Sequence, residues 1–338
     1  MLSKRNRVAA LADRFGLTAV LRLLPEQPSL VVLNYHRIGD AKASPWDSGV
    51  FSADVDQFRD QIAYLKSRHP ILNLEQALAF VEGRAKLNGT SVLITFDDGY
   101  LDNYELAFPI LRNFQVPATF FLPTSFIGTS RIPWWDTIAY LLKRCQKTSI
   151  SLEYPTRRTF NLDRASIAST IVQILDLYKS PATADGERLL SELESVTGEQ
   201  RPGKSTRCFL DWEEAREMLA GGMSVASHTD THDVLSKKPL ADQAADLIRA
   251  RDILTERLQA TGDVLAYPIG SRDAFNDDTI RALENAGYRA AFSFYGGFNL
   301  PGRTQRYDIR RFSVNRDTTL HRLHIQMSVA ATTARVWF

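Results

Sequence analysis

Three features of this 338-residue sequence predict an α/β fold built around a parallel sheet. From Leu30 onward, short runs rich in β-branched and aromatic residues alternate with longer segments of helical period. Several of the short runs are apolar on both faces, as strands covered from both sides must be. Polar clusters stand at the ends of three of those runs, where α/β barrels and open α/β sheets place their active sites.

Taken in order, the chain opens with MLSKRNRVAALADRFGLTAVLRLLP, a basic start whose apolar stretch is interrupted by Asp13, Arg14 and Arg22. The pattern reads as an amphipathic helical segment over residues 1–29 rather than a signal peptide. Such a helix suits packing on the domain that follows or peripheral contact with a membrane. No run approaches the ~20 uncharged apolar residues of a spanning helix, so no transmembrane segment is expected. A cytoplasmic or peripheral location follows, with the cell envelope left open.

Strands are expected at Leu30–Tyr35, Ser91–Phe96, Ala118–Leu122, Met223–Ser227, Val264–Tyr267, Ala290–Phe294 and Arg311–Val314. Helices lie between them, and Phe58, Ile62 and Leu65 mark one apolar stripe at i, i+4 and i+7. In Asp211–Gly222 the cap at Asp211, its reciprocal partner Glu214 and the Gly221-Gly222 stop delimit a helix, and Asn276–Gly287 follows the same grammar. Residues 131–205 break the rhythm and are too long for a plain loop, which makes them a partly helical insertion. The main domain is thus bounded at 30–325, with a tail at 326–338.

Composition narrows the function. The chain is 44% apolar and 24% charged, the balance of an ordinary globular protein. Its net charge of +2 provides no field to draw it to nucleic acid. Cys145 and Cys208, 63 positions apart, support neither a disulfide framework nor a cysteine metal site. Neither of the common glycine-rich phosphate-binding motifs is present.

The chemistry concentrates in Asn34-Tyr35-His36, Thr95-Phe96-Asp97-Asp98-Gly99-Tyr100 and Ser227-His228-Thr229-Asp230-Thr231-His232. Neighbouring side chains on extended backbone point to opposite faces, so Asp97 and Asp98 must divide their roles. Gly99 permits the turn that lets both reach one cavity. His228 and His232, with three residues between them, can meet at one metal. Two imidazoles and one carboxylate leave coordination positions open for water and substrate, and a second carboxylate beside them supplies a base.

The run TFDDGY followed by SHTDTH resembles the first two motifs of the polysaccharide deacetylase family, the NodB-homology carbohydrate esterases. ATFFLPT, LAYPIG and LNYHRI agree, and make the chain similar to the branch of exopolysaccharide and poly-N-acetylglucosamine deacetylases. The likeness runs over roughly residues 30–314 apart from the insertion. It implies a distorted (β/α)7 barrel, a divalent metal that is usually zinc, and an acetylated amino-sugar glycan as substrate. Carried over by motif, Asp97 is the general base, Asp98, His228 and His232 are the metal ligands, and the Tyr100 N–H helps hold the oxyanion. The general acid is expected from His36, in preference to His324. The arginine that orients the base in many family members is missing from Ala266–Gly270, and Arg311 is the candidate substitute, against a reading as a solvated strand-end charge. Trp134, Trp135 and Tyr267 are candidate sugar contacts, the tryptophans alternatively anchoring the insertion. Six arginines against two aspartates in residues 303–322 suggest a basic rim. Rival readings are an O-acetyl esterase using the same metal site and a non-catalytic glycan-binding barrel.

Overall fold

The computed structural model describes residues 28–180, 182–203, 207–259 and 262–333. The amphipathic helix expected at the N-terminus therefore lies almost wholly outside the described residues. The chain divides into two compact units. The first takes the described parts of Met1–Gly39, Phe51–Thr129 and Phe209–Phe338, and the second takes Asp40–Val50 and Ser130–Cys208.

In the first unit, β1 (Ser29–Tyr35), β2 (Ile71–Leu72), β3 (Thr90–Phe96), β4 (Thr119–Leu122), β5 (Ser224–Ser227), β6 (Val264–Ala266), β7 (Ala290–Phe292) and β8 (Arg311–Ser313) form one sheet. Its order is β7-β6-β5-β4-β3-β1-β8, with β2 against the start of β3, and every pairing is parallel. At the two edges Phe292 bridges Ile309 just ahead of β8, and the Ser293 N–H donates to the Ile309 carbonyl at 2.9 Å. The sheet is thereby curled into a nearly closed (β/α) barrel. All seven expected strands lie in it. The eighth, β2, is two residues long and carries no period to read.

Alternation along the strands sorts the core. Val31, Leu33 and Tyr35 of β1, Val92, Ile94 and Phe96 of β3, and Phe120 and Leu122 of β4 pack with Phe58, Ile62 and Leu65 of α1 (Val55–Arg68). The intervening residues Leu30, Val32, Leu93, Phe121 and Ala226 belong to a second cluster, with Leu74, Ala77, Leu78 and Phe80 from α2 (Leu74–Val81). Two residues further along this second set stand Asn34, Thr95 and His228, and Asp97 follows two beyond Thr95, so the strand period directs them to one face.

The remaining α-helices of this unit among the described residues are α3 (Phe108–Asn113), α4 (Trp212–Ala220), α5 (Leu240–Leu258), α6 (Asp277–Asn285) and α7 (Leu320–Thr333). The Asp211 cap and its Glu214 partner form as expected, and Asn276 caps α6. The structure differs at the C-terminus: α7 runs through the anticipated boundary at 326, so residues up to 333 continue a helix rather than a tail. Leu323 and Met327 are buried in the first core cluster, which explains why the helix persists.

The second unit contains helices Trp134–Arg144, Ile167–Lys179 and Gly186–Thr197 and an antiparallel hairpin of Ser149–Leu152 with Arg158–Asn161. The anticipated insertion falls within it. Asp40–Val50 joins this unit although distant in sequence, because the Asp47 N–H donates to Asp136 Oδ1 at 2.9 Å and Lys143 Nζ donates to the Ser44 carbonyl at 3.0 Å. Among the described residues no helix is long and apolar enough to cross a membrane.

Phe120 is fully buried and its ring stacks on Phe96 at 4.7 Å between centroids. Phe120→Ala is expected to cost about 3–5 kcal/mol in denaturant unfolding, the range for removing a packed core phenylalanine. A loss below about 1 kcal/mol would show that this layer is not close-packed.

Candidate active site

Asp97 follows β3 directly and is 2% exposed. Arg311, at the first position of β8 and fully buried, reaches both of its oxygens, with Nη1 2.7 Å from Oδ1 and Nη2 2.9 Å from Oδ2. Asn34 donates from Nδ2 to Asp97 Oδ2 at 3.0 Å, and its Oδ1 accepts from Arg311 Nη1 at 2.8 Å and from Thr95 Oγ1 at 2.7 Å. Arg311 Nε donates to the Ser293 carbonyl. Burial alone would raise the Asp97 pKa, but the Arg311 guanidinium, with His228 and His36, outweighs it and holds the carboxyl below its ordinary value. Asp97 is therefore an ionised carboxylate with fixed orientation. Arg311 is a buried orienting group and not a solvated strand-end charge.

The next residue faces elsewhere. Asp98 adopts φ 74° and Gly99 φ 67°, both left-handed, and this sharp turn separates the two acids. A Cβ at Gly99 would come within 2.7 Å of Leu122 Cδ2, so the position requires glycine twice over. Asp98 Oδ1 lies 3.4 Å from His228 Nε2 and 3.2 Å from His232 Nε2. Burial pushes the Asp98 pKa up, yet the two imidazoles, which in their protonated form hydrogen-bond its carboxylate, hold it well below the usual carboxylate range.

His228 Nδ1 is 2.7 Å from the Ala266 carbonyl, which can only accept, so Nδ1 carries the proton and Nε2 presents its lone pair in the neutral ring. Burial lowers the His228 pKa, but Asp97 and Asp98 more than offset it, giving a raised value. One donor atom from each of Asp98, His228 and His232 falls within 4.8 Å of the others. A carboxylate and two imidazoles with converging donors fit a divalent transition ion. Asp97 Oδ2 stays 3.9 Å from His228 Nε2 and is committed to Arg311 and Asn34.

The segment 228–232 is held by a network that sequence reading did not assign. Thr229 and His232 have φ of 66° and 60°, conformations that cost about 1–3 kcal/mol each in a non-glycine residue. The His232 N–H donates to Thr229 Oγ1 at 3.0 Å. Asp230 accepts from Thr124 Oγ1 at 2.6 Å and Arg249 Nε at 2.7 Å. Asp246, 1% exposed on α5, accepts the Asp230 N–H at 2.8 Å and the Thr231 hydroxyl at 2.6 Å. A sequence signal was available: Asp246 is an acid on the stripe Gln243, Leu247, Ala250, Leu254 that α5 buries.

His36 closes the constellation from the end of β1, its ring 5.6 Å from that of Phe294. Its pKa is lowered by burial, opposed by the nearby Asp98 and Asp97. His324 is placed elsewhere, on α7 with its ring 5.7 Å from Tyr64. The Tyr100 ring is buried in a stack with Phe209 at 5.4 Å, so its side chain serves the core.

Tyr267 is corrected to a core residue: it is 1% exposed, stacks on Phe275 at 4.3 Å and donates its hydroxyl to the Tyr307 carbonyl at 3.0 Å. Trp134 and Trp135 lie in the second unit, where Trp134 stacks on Tyr178 at 4.1 Å and Trp135 is buried. Those contacts build that unit's own packing. The anticipated basic rim is also reduced, since Arg311 is internal and Arg306 pairs with Glu284 at 2.9 Å.

Asp246→Ala should lower the affinity for cobalt(II) about tenfold or more in calorimetric titration, by releasing a strained loop that carries two donors. An unchanged affinity would mean that the loop holds its shape without α5.

The chain matches the polysaccharide deacetylase family over residues 84–291. A poly-β-1,6-N-acetyl-D-glucosamine N-deacetylase of Staphylococcus aureus is 32% identical over 176 residues, which cover 47% of this chain and 60% of that protein. Among solved structures, the deacetylase PplD of Streptococcus pyogenes, in complex with acetate, superposes with a TM-score of 0.59 at 17% identity, over 89% of this chain and 99% of that one. IcaB from Ammonifex degensii gives 0.58 at 22% identity, over 91% and 98%. These two likenesses speak to the barrel. With more than half its length matched by the family, and the Asp97-Asp98 and His228/His232 motifs meeting at one centre, the chain belongs to the polysaccharide deacetylase family.

Proposed function

We propose that this protein hydrolyses the N-acetyl groups of an amino-sugar polysaccharide, using zinc held by Asp98, His228 and His232. The observation that carries the reading is the unlike treatment of two adjacent acids: Asp98 faces two imidazoles, whereas Asp97 faces a guanidinium and an amide. The Staphylococcus aureus relative, named for deacetylating a β-1,6-linked N-acetylglucosamine polymer, supports that glycan class as the first substrate to try.

Bound at that centre, a divalent ion supplies Lewis acidity toward an acyl carbonyl and toward water. The chain's own groups do the rest. Asp97, ionised and fixed by Arg311 and Asn34, takes a proton from the attacking water as its oxygen bonds to the acyl carbon. Negative charge gathers on the former carbonyl oxygen, toward which the Tyr100 N–H donates. The C–N bond then breaks while His36 protonates the departing nitrogen, leaving amine and acetate. Solvent carries the proton from Asp97 back to His36, which completes the balance. A lowered pKa makes the protonated His36 ring a stronger acid than free imidazolium, as expulsion of a poor leaving group demands.

Acetate release from poly-β-1,6-N-acetylglucosamine oligomers should stop on chelation and return with added zinc. Asp97→Asn should lose about 10²-fold or more in kcat, the size of a base contribution, while retaining the ion. Release that survives the chelator, or near-normal turnover by Asp97→Asn, would contradict the mechanism.

A further inference from the structure

We infer that Asn103 is a positioning residue that sets the aim of His36, an inference that rests on the reading of His36 as the general acid. Asn103 is fully buried and opens a π-helical turn, Asn103–Ala107, just beyond the Asp97–Tyr100 motif. Such turns are uncommon and frequently mark functional sites. Asn103 Nδ2 donates to the His36 carbonyl at 2.7 Å and to Asp102 Oδ1 at 3.0 Å. Asp102 Oδ1 in turn accepts the Ile38 N–H at 2.9 Å, and its Oδ2 lies 3.9 Å from Arg37 Nη1. On the other side of the same residue, the His36 N–H donates to Ser52 Oγ at 2.9 Å.

Both peptide groups of His36 are therefore held by buried side chains. The ring is not: among the described residues neither ring nitrogen makes a hydrogen bond, and its ring neighbour is Phe294. The direction in which His36 points is then fixed by its backbone torsions and by that packing. Asn103 and Ser52 set the torsions. The segment that carries the base and a metal ligand thus also reaches back across β1 to fix the acid, and Arg37, stacked 4.0 Å over the Tyr100 ring, ties the same strand end to the residue whose N–H meets the oxyanion.

The test uses leaving-group dependence, because an amine needs a proton to depart and an activated phenolate does not. In the zinc-loaded protein, Asn103→Ala should lower kcat on the N-acetylated glycan about 10- to 100-fold, the scale of a misplaced catalytic group, with KM and metal content unchanged. Hydrolysis of a p-nitrophenyl acetate by the same variant should stay within about twofold of the parent, since it has no use for a general acid. In a His36→Ala background, Asn103→Ala should add no further loss. Equal losses on both substrates, or additive losses, would overturn the inference about Asn103 while leaving His36 as the acid. Unharmed glycan turnover in His36→Ala would instead overturn the assignment of the acid and this inference with it. Should Asn103→Ala fail to fold, Ser52→Ala decides by the same two substrates, and a loss indifferent to leaving group refutes the positioning role.

Discussion

The site depends on the bidentate pair between Arg311 and Asp97, buried on both sides and completed by Asn34. Removing two charges from water is expensive, and only close geometry with further hydrogen bonds makes such a pair tolerable. Here the geometry is supplied by neighbouring strands: β1 lies between β3 and β8, so Asn34 stands between the acid and the guanidinium. The guanidinium also lies over the rings of Phe121 and Phe294, at 5.5 and 5.3 Å from their centroids. Arg311 and Asn34 hold both Asp97 oxygens on their own side, 3.9 Å or more from the nearest imidazole nitrogen of His228, while the acid beside it faces both imidazoles.

The cost of this division is local backbone strain. Asp98, Thr229 and His232 all take left-handed torsions, and all belong to the two motifs that converge on the site. Such conformations persist where surroundings over-determine them. The surroundings are visible: Leu122 and Ile127 crowd Gly99, while Thr124, Arg249 and Asp246 grip the peptide between the histidines. Strand register brings the groups to the right end of the barrel, and these clamps set them to the tolerance that catalysis needs.

Much of this was legible in the sequence. The seven expected strands declared themselves by apolar runs, and the four converging side chains by motif and strand-end position. Arg311 was identifiable as a candidate, but whether it was buried could not be read from a run of charged residues ending in a strand. What escaped reading has a common cause: the partners of Asn34, and the roles of Asn103 and Asp246, rest on contacts 63, 67 and 16 residues away, which no local pattern announces. Tyr267 misled in the opposite direction. An aromatic residue at a strand end suggests a sugar platform, yet its hydroxyl found a carbonyl inside the core. The segment Asp40–Val50 was equally silent, since its bonds to Asp136 and Lys143 span the whole of the barrel's first half in sequence.

The central claim is that of two adjacent acids only Asp98 belongs to the metal. X-ray absorption spectroscopy of the zinc-loaded protein tests it directly, with Asp97→Asn measured alongside. The account predicts two imidazole nitrogens at about 2.0–2.1 Å with oxygen donors and no sulfur, and a spectrum that Asp97→Asn leaves unaltered. A shell that lacks the imidazoles, or one that loses an oxygen when Asp97 is replaced, would contradict it.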